Sequence, residues 1–88
     1  MIRKELKIED ASHLQSRPAA LLVQEACKFA SRIWVEQGGK TVNAKSMMGV
    51  LSLGSLAEDR LVLVVEGEDE QAAAEAVEPY VAMMYAHG

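Results

Sequence analysis

A single cysteine, Cys27, rules out an internal disulfide, and with no CxxC or His-rich spacing around it neither a metal site nor a redox motif is expected, nor any cofactor. Nowhere do 18 apolar residues run together, so no membrane span is expected. The opening Met1-Ile2-Arg3-Lys4-Glu5 carries cations with no apolar stretch behind them, which is not an export signal and makes a cytoplasmic protein the expectation. Aromatic residues are few, at Phe29, Trp34, Tyr80 and Tyr85, and give no stacking platform for a nucleic acid. Residues 61–88 lack Lys and Arg altogether while holding six acids.

What is present is 88 residues, half of them hydrophobic, which suits one domain over 1–88 with a single core. The net charge of −4 is unevenly spread: the first 60 residues hold nine cations against seven acids. Between Ala11 and Ala57 the acids are Glu25 and Glu36 alone, against Arg17, Lys28, Arg32, Lys40 and Lys45. That mildly basic surface can receive an anion or an acidic partner, and it is too sparse for direct nucleic-acid binding.

Ile2, Leu6 and Ile8 alternate with charged residues and predict a strand over 2–8, followed by a loop over 9–14. Ser16-Arg17-Pro18 offers an N-cap with proline in the first turn, opening a helix over 16–28 with Ala19, Leu22, Val23 and Ala26 on one stripe. Ile33–Glu36 and Thr41–Val42 flank Gln37-Gly38-Gly39-Lys40, a hairpin signal. A short amphipathic helix over 46–53, a central strand over 60–66 and an alanine-rich helix capped by Asp69 complete the chain, and Pro79 should kink or divide that last helix. The order βαββαβα predicts an α/β (α+β) open-faced sandwich, one mixed or antiparallel sheet with its helices on one face. Trp34, out of phase with Ile33 and Val35, belongs to the uncovered face, where it either shields Val62 and Val64 or contacts a partner.

Two helix starts could carry chemistry. At the first, backbone N–H groups, the positive end of the dipole and the Arg17 guanidinium converge on a spot suited to phosphate. At the second, the Ser46 hydroxyl can cap the helix, and its phosphorylation would set a dianion there, worth roughly 0.3 to 1 kcal/mol. Serine caps are commonplace and most of them only cap. Met47 and Met48 are consecutive, so one helix stripe cannot bury both.

Leu14-Gln15-Ser16-Arg17-Pro18-Ala19-Ala20 and Val42-Asn43-Ala44-Lys45-Ser46-Met47-Met48-Gly49-Val50-Leu51-Ser52-Leu53-Gly54 resemble motifs of the HPr family, and Gly67-Glu68-Asp69-Glu70-Gln71 matches a third. Members are small phosphocarriers of the bacterial phosphoenolpyruvate-dependent sugar phosphotransferase system, and the resemblance implies an HPr-like open-faced sandwich: a four-stranded sheet with three helices on one face. In phosphocarrier members a histidine takes a phosphoryl group from Enzyme I and hands it to Enzyme IIA proteins, and its place is held here by Gln15. The glutamine amide nitrogen has its lone pair delocalised into the carbonyl and is no nucleophile at neutral pH.

Glutamine there with Ser46 retained is similar to the Crh branch, the catabolite-repression HPr-like proteins. That resemblance implies a protein that is no enzyme: it is phosphorylated at Ser46 by an HPr kinase/phosphorylase and then acts as corepressor of a LacI-type catabolite control regulator, engaging Enzyme I only weakly. Gln15, Arg17, Met47, Met48 and Leu51 are the expected partner-binding residues, and the expected state is a monomer or weak homodimer. The alternative is a phosphocarrier using His13, which stands where the family usually has glycine; Ser16 is a second departure. In-line transfer is sensitive to displacements of about 1 Å, which weighs against a loop histidine two residues away. His87, next to the end of the chain, is expected to be silent.

Overall fold

The computed structural model describes residues 1–8, 14–53 and 60–85. The elements run β1 (Ile2–Lys7), α1 (Ser16–Ala26), β2 (Arg32–Gln37), β3 (Lys40–Asn43), α2 (Met47–Leu51), β4 (Arg60–Glu66) and α3 (Glu70–Met83). The four strands form one sheet in the order β1-β4-β2-β3, every pairing antiparallel, which resolves the choice between a mixed and an antiparallel sheet. Because β4 is antiparallel to both its neighbours, β1 and β2 run parallel with β4 between them. By the same reasoning β3 and β4 run parallel across β2. The crossovers through α1 and α2 are therefore two interleaved split βαβ units, and the Gly38-Gly39 hairpin, with Gly38 at φ 58°, joins them.

Alternation along the strands decides which residues meet the helices. Ile33 and Val35 of β2 and Leu61, Leu63 and Val65 of β4 are buried on the helix side, against Ala19, Leu22 and Ala26 of α1, Val50 of α2, and Ala73, Val77 and Val81 of α3. Each large apolar side chain so buried stabilises the fold by roughly 1.5 to 3 kcal/mol relative to exposure. Lys4 shares this face in register with Leu63, and its ammonium reaches Glu78 of α3 at 3.0 Å, so a charged position closes the edge of the sandwich.

The uncovered face has its own small assembly. Val64 is fully buried there without belonging to the helix-side core, and its cross-strand neighbours are Trp34 and Arg3. Arg3 pairs with Glu36 at 2.8 Å, and the Trp34 indole N–H donates to the same carboxylate at 3.1 Å. The guanidinium and the indole hold the Glu36 carboxyl below the usual carboxylate range. This bridge spans from β1 to β2 over β4, so the shielding of Val64 is a joint product of Trp34 and an ion pair.

Expectations about the helices need correction or narrowing. The cap of α1 is Gln15, with Ser16 its first helical residue, and α1 ends at Ala26, after which Lys28 and Phe29 tighten into turns on Glu25 and Ala26. Pro79 does not divide α3, which is continuous from Glu70 to Met83. The carbonyl that loses its donor belongs to Glu75, an exposed residue, where water can take the place of the missing N–H. Asp69 stands at the start of α3 without capping it: its carboxylate accepts the N–H groups of Ala30 and Ser31, both at 2.9 Å, and the Ser31 hydroxyl. These bonds hold its carboxyl below the ordinary value, with Ser31 the largest influence. Gly67 makes that approach possible, since a Cβ there would come to 2.7 Å from the Ser31 Cα. α2 ends earlier than expected, at Leu51 with Ser52 as its C-cap, and Gly54 itself lies outside the described residues.

Candidate functional site

Ser46 sits on the connection between β3 and α2, and the preceding residues build its position. The Asn43 side-chain oxygen accepts the Lys45 N–H at 2.8 Å, and the Asn43 carbonyl accepts the Ser46 N–H at 3.0 Å, closing a tight turn. Lys45 anchors that turn on the end of α1, its ammonium donating to the Phe29 carbonyl at 2.7 Å. Ser46 then caps α2, its Oγ accepting the Gly49 N–H at 3.1 Å. A Cβ at Gly49 would stand 3.4 Å from both that Oγ and the Asn43 carbonyl, so glycine keeps the surroundings of the hydroxyl open. Ser46 is partly exposed. No carboxylate or histidine among the described residues is hydrogen-bonded to its Oγ, so transfer to this hydroxyl requires a base from elsewhere.

The two methionines separate as their adjacency requires. Met47 packs partly against the core, while Met48 is 85% exposed and Leu51 is 41% exposed beside it on α2. An exposed methionine and leucine on a helix that packs against α1 make an adaptable apolar patch.

At the start of α1, Gln15 takes the N-cap position without a side-chain capping bond. Its own N–H donates to the Met84 carbonyl at 2.7 Å, which ties this end of α1 to the end of α3 and removes that N–H from any anion site. The N–H groups of Ser16 and Arg17 have no acceptor among the described residues, and the Arg17 guanidinium has no ion pair there. Tyr85, next to Met84, is buried, and burial pushes its hydroxyl up to about 12. His13 and His87 lie outside the described residues.

The structure thus does not bring the two helix starts together. Lys45 touches the far end of α1, where the Cys27 thiol also lies 3.9 Å from the Lys45 carbonyl, and Gln15 is at the near end. The 11 residues of α1 put roughly 16 Å between them at 1.5 Å per residue. Sequence reasoning singled out Ser46, Gln15 and Arg17 and passed over Asn43, the residue that turns the chain into Ser46. Asn three residues before a serine cap was the available signal. Among the described residues no group of three His, Cys, Asp or Glu could hold a metal ion, and no helix is long and apolar enough to cross a membrane.

Comparison with known proteins bears on these positions. Residues 2–83 match the family described as the PTS HPr component phosphorylation site. The HPr-like protein Crh of Halalkalibacterium halodurans is 46% identical over 81 residues, 92% of this chain and 96% of the relative. The solved structure of HPr-C-His from Thermoanaerobacter tengcongensis superposes with a TM-score of 0.80 at 41% identity, covering 100% of this chain and 99% of that one. Selenomethionyl Crh of Bacillus subtilis, described as a catabolite-repression protein forming a swapped dimer, gives a TM-score of 0.71 at 41% identity over 99% of this chain and 100% of its own.

Proposed function

The chain belongs to the HPr family of the phosphotransferase system, and on that premise we propose that it is a regulatory member, modified at Ser46 and without phosphoryl relay at position 15. In this reading an HPr kinase/phosphorylase transfers the γ-phosphoryl group of ATP to the Ser46 Oγ, with the hydroxyl proton passing to a base of the kinase. The phosphorylated chain is then the corepressor of a LacI-type catabolite control regulator. It acts as a monomer or weak homodimer in the cytoplasm.

The observation that carries this reading is Gln15. It keeps a polar group at the start of α1 beside Arg17, yet an amide nitrogen cannot accept a phosphoryl group as an imidazole does. Ser46 supports the second half. Its hydroxyl is a partly exposed alcohol on a rigid turn, and Met48 and Leu51 offer apolar contact next to it. A phosphoserine there presents strong acceptor oxygens for a cationic side chain of the regulator. Gln15 and Arg17 contribute a separate docking surface.

Incubation with an HPr kinase and ATP should label the wild type and leave Ser46→Ala unlabelled, and only the labelled protein should bind the regulator. Regulator binding by Ser46→Ala at the wild-type level would sink the proposal. So would acid-labile labelling of the wild type by phosphoenolpyruvate and Enzyme I if Ala in place of His13 abolishes it, because that result returns the chain to the phosphocarriers.

A further inference from the structure

The uncovered face of the sheet carries a groove of about 480 Å³ at the end of the β2–β3 hairpin remote from its turn, lined by Arg32, Ile33, Trp34, Thr41, Asn43 and Lys45. Nothing in the Ser46 chemistry uses its floor. We propose that this groove binds a nucleoside monophosphate, with the base on the Trp34 indole and the phosphate at Arg32 and Lys45.

Four observations support that assignment. First, Arg32 is exposed and has no ion pair or hydrogen bond among the described residues, although Glu66 is its cross-strand neighbour. The other described arginines of this face, Arg3 and Arg60, are paired with Glu36 and Glu5 respectively. Second, Lys45 is held at the same end of the groove by its bond to the Phe29 carbonyl, and its charge remains. Third, Trp34 is oriented by the indole bond to Glu36 and stands beside Val64, so the ring is a fixed platform. Fourth, Asn43 lies directly across from Trp34, and with its side-chain oxygen engaged by the Lys45 N–H, its amide NH₂ is the group it can offer.

The spacing agrees. Arg32 and Trp34 are two residues apart on one strand, about 6.6 Å at 3.3 Å per residue, and so point to the same face. A base stacked on the indole reaches its 5′ phosphate across the ribose over a comparable distance, and the groove volume falls within the range of small-ligand sites. Stacking on an aromatic face and a guanidinium–phosphate contact are both established modes of nucleotide recognition. The mildly basic surface is too sparse to follow a polynucleotide backbone, which favours the free mononucleotide.

Trp34 is the single tryptophan, so its fluorescence reports on the site directly. Titration of the full chain with adenosine monophosphate should quench that emission saturably, with ¹⁵N shift changes confined to residues 32–34 and 41–45. Arg32→Gln, at an exposed position, should fold normally and weaken the binding about tenfold. Adenosine without its phosphate should bind weakly, and Ser46→Ala should bind as the wild type does, which separates this site from the regulatory one. Absence of saturable quenching at millimolar nucleotide, equal affinity in Arg32→Gln, or tighter binding of a single-stranded oligonucleotide than of the mononucleotide would each overturn the assignment.

Discussion

The starts of α1 and α2 solve the same problem, unpartnered backbone N–H groups, in opposite ways. α1 is 11 residues long, lacks a side-chain cap and has at its start a guanidinium without an ion pair among the described residues, so among these it offers positive potential with no nucleophile. α2 is 5 residues long and begins with a hydroxyl that caps it, so it offers a nucleophile with no base among the described residues. Each start is also tied to a different part of the fold. The first hangs on the end of α3 through Met84, and the second on the Asn43 turn and the Phe29 carbonyl. The guanidinium and the capping hydroxyl thus stand at opposite ends of α1, which under the proposed function divides electrostatic reception from acceptor chemistry.

The sharpest way to break that division is to supply the missing nucleophile. Gln15→His places an imidazole at the N-cap beside Arg17, and incubation with phosphoenolpyruvate and Enzyme I should take the protein from no acid-labile label to clear labelling. Labelling of Ser46 by the kinase should be unchanged in the same variant, because α1 separates the two sites. A Gln15→His protein that stays unlabelled would mean that the surface around α1 is no longer read by Enzyme I, and the contrast between the two starts would then be more than one residue deep.

A smaller effect tests the cap. Ser46→Ala removes the oxygen that accepts the Gly49 N–H, and loss of a serine N-cap costs about 0.5 to 2 kcal/mol. Urea denaturation should therefore show a lowered midpoint with an unchanged slope. A stability equal to wild type would show that Ser46 does not hold α2.

These contrasts were unequally legible in the sequence. The β4 strand was readable to the residue, since Leu61, Leu63 and Val65 alternate with Val62 and Val64 between Arg60 and Glu66. The Ser46 cap was readable too, because a capping bond joins residues three apart. Asp69 is the complementary case: local sequence offers it the start of α3, whereas Ala30 and Ser31, 39 and 38 residues away, outcompete that use with three donors. The bond from Gln15 to Met84 joins opposite ends of the chain in the same way. Helix type and periodicity follow from neighbours, but the anchoring of each helix start depends on tertiary contacts that no local pattern encodes.

The smallest effect uses that anchoring and should separate the two starts by pH. Tyr85 has its hydroxyl pushed up to about 12 by burial, against an ordinary value near 10 in an unfolded chain. The folded state therefore resists ionisation, so the stability this group contributes is fully present below about pH 10 and falls as pH rises towards 12. Met84 precedes Tyr85 and its carbonyl holds the Gln15 N–H, so ionisation of the phenol should disturb the start of α1 first. Methyl-labelled methionine offers the measurement: between pH 10 and 12 the Met84 signal should shift ahead of global unfolding, while Met47 and Met48 on α2 stay in place. Simultaneous movement of all three methyl groups would mean that the two starts are coupled through the core, and that their separate anchors do not make them independent.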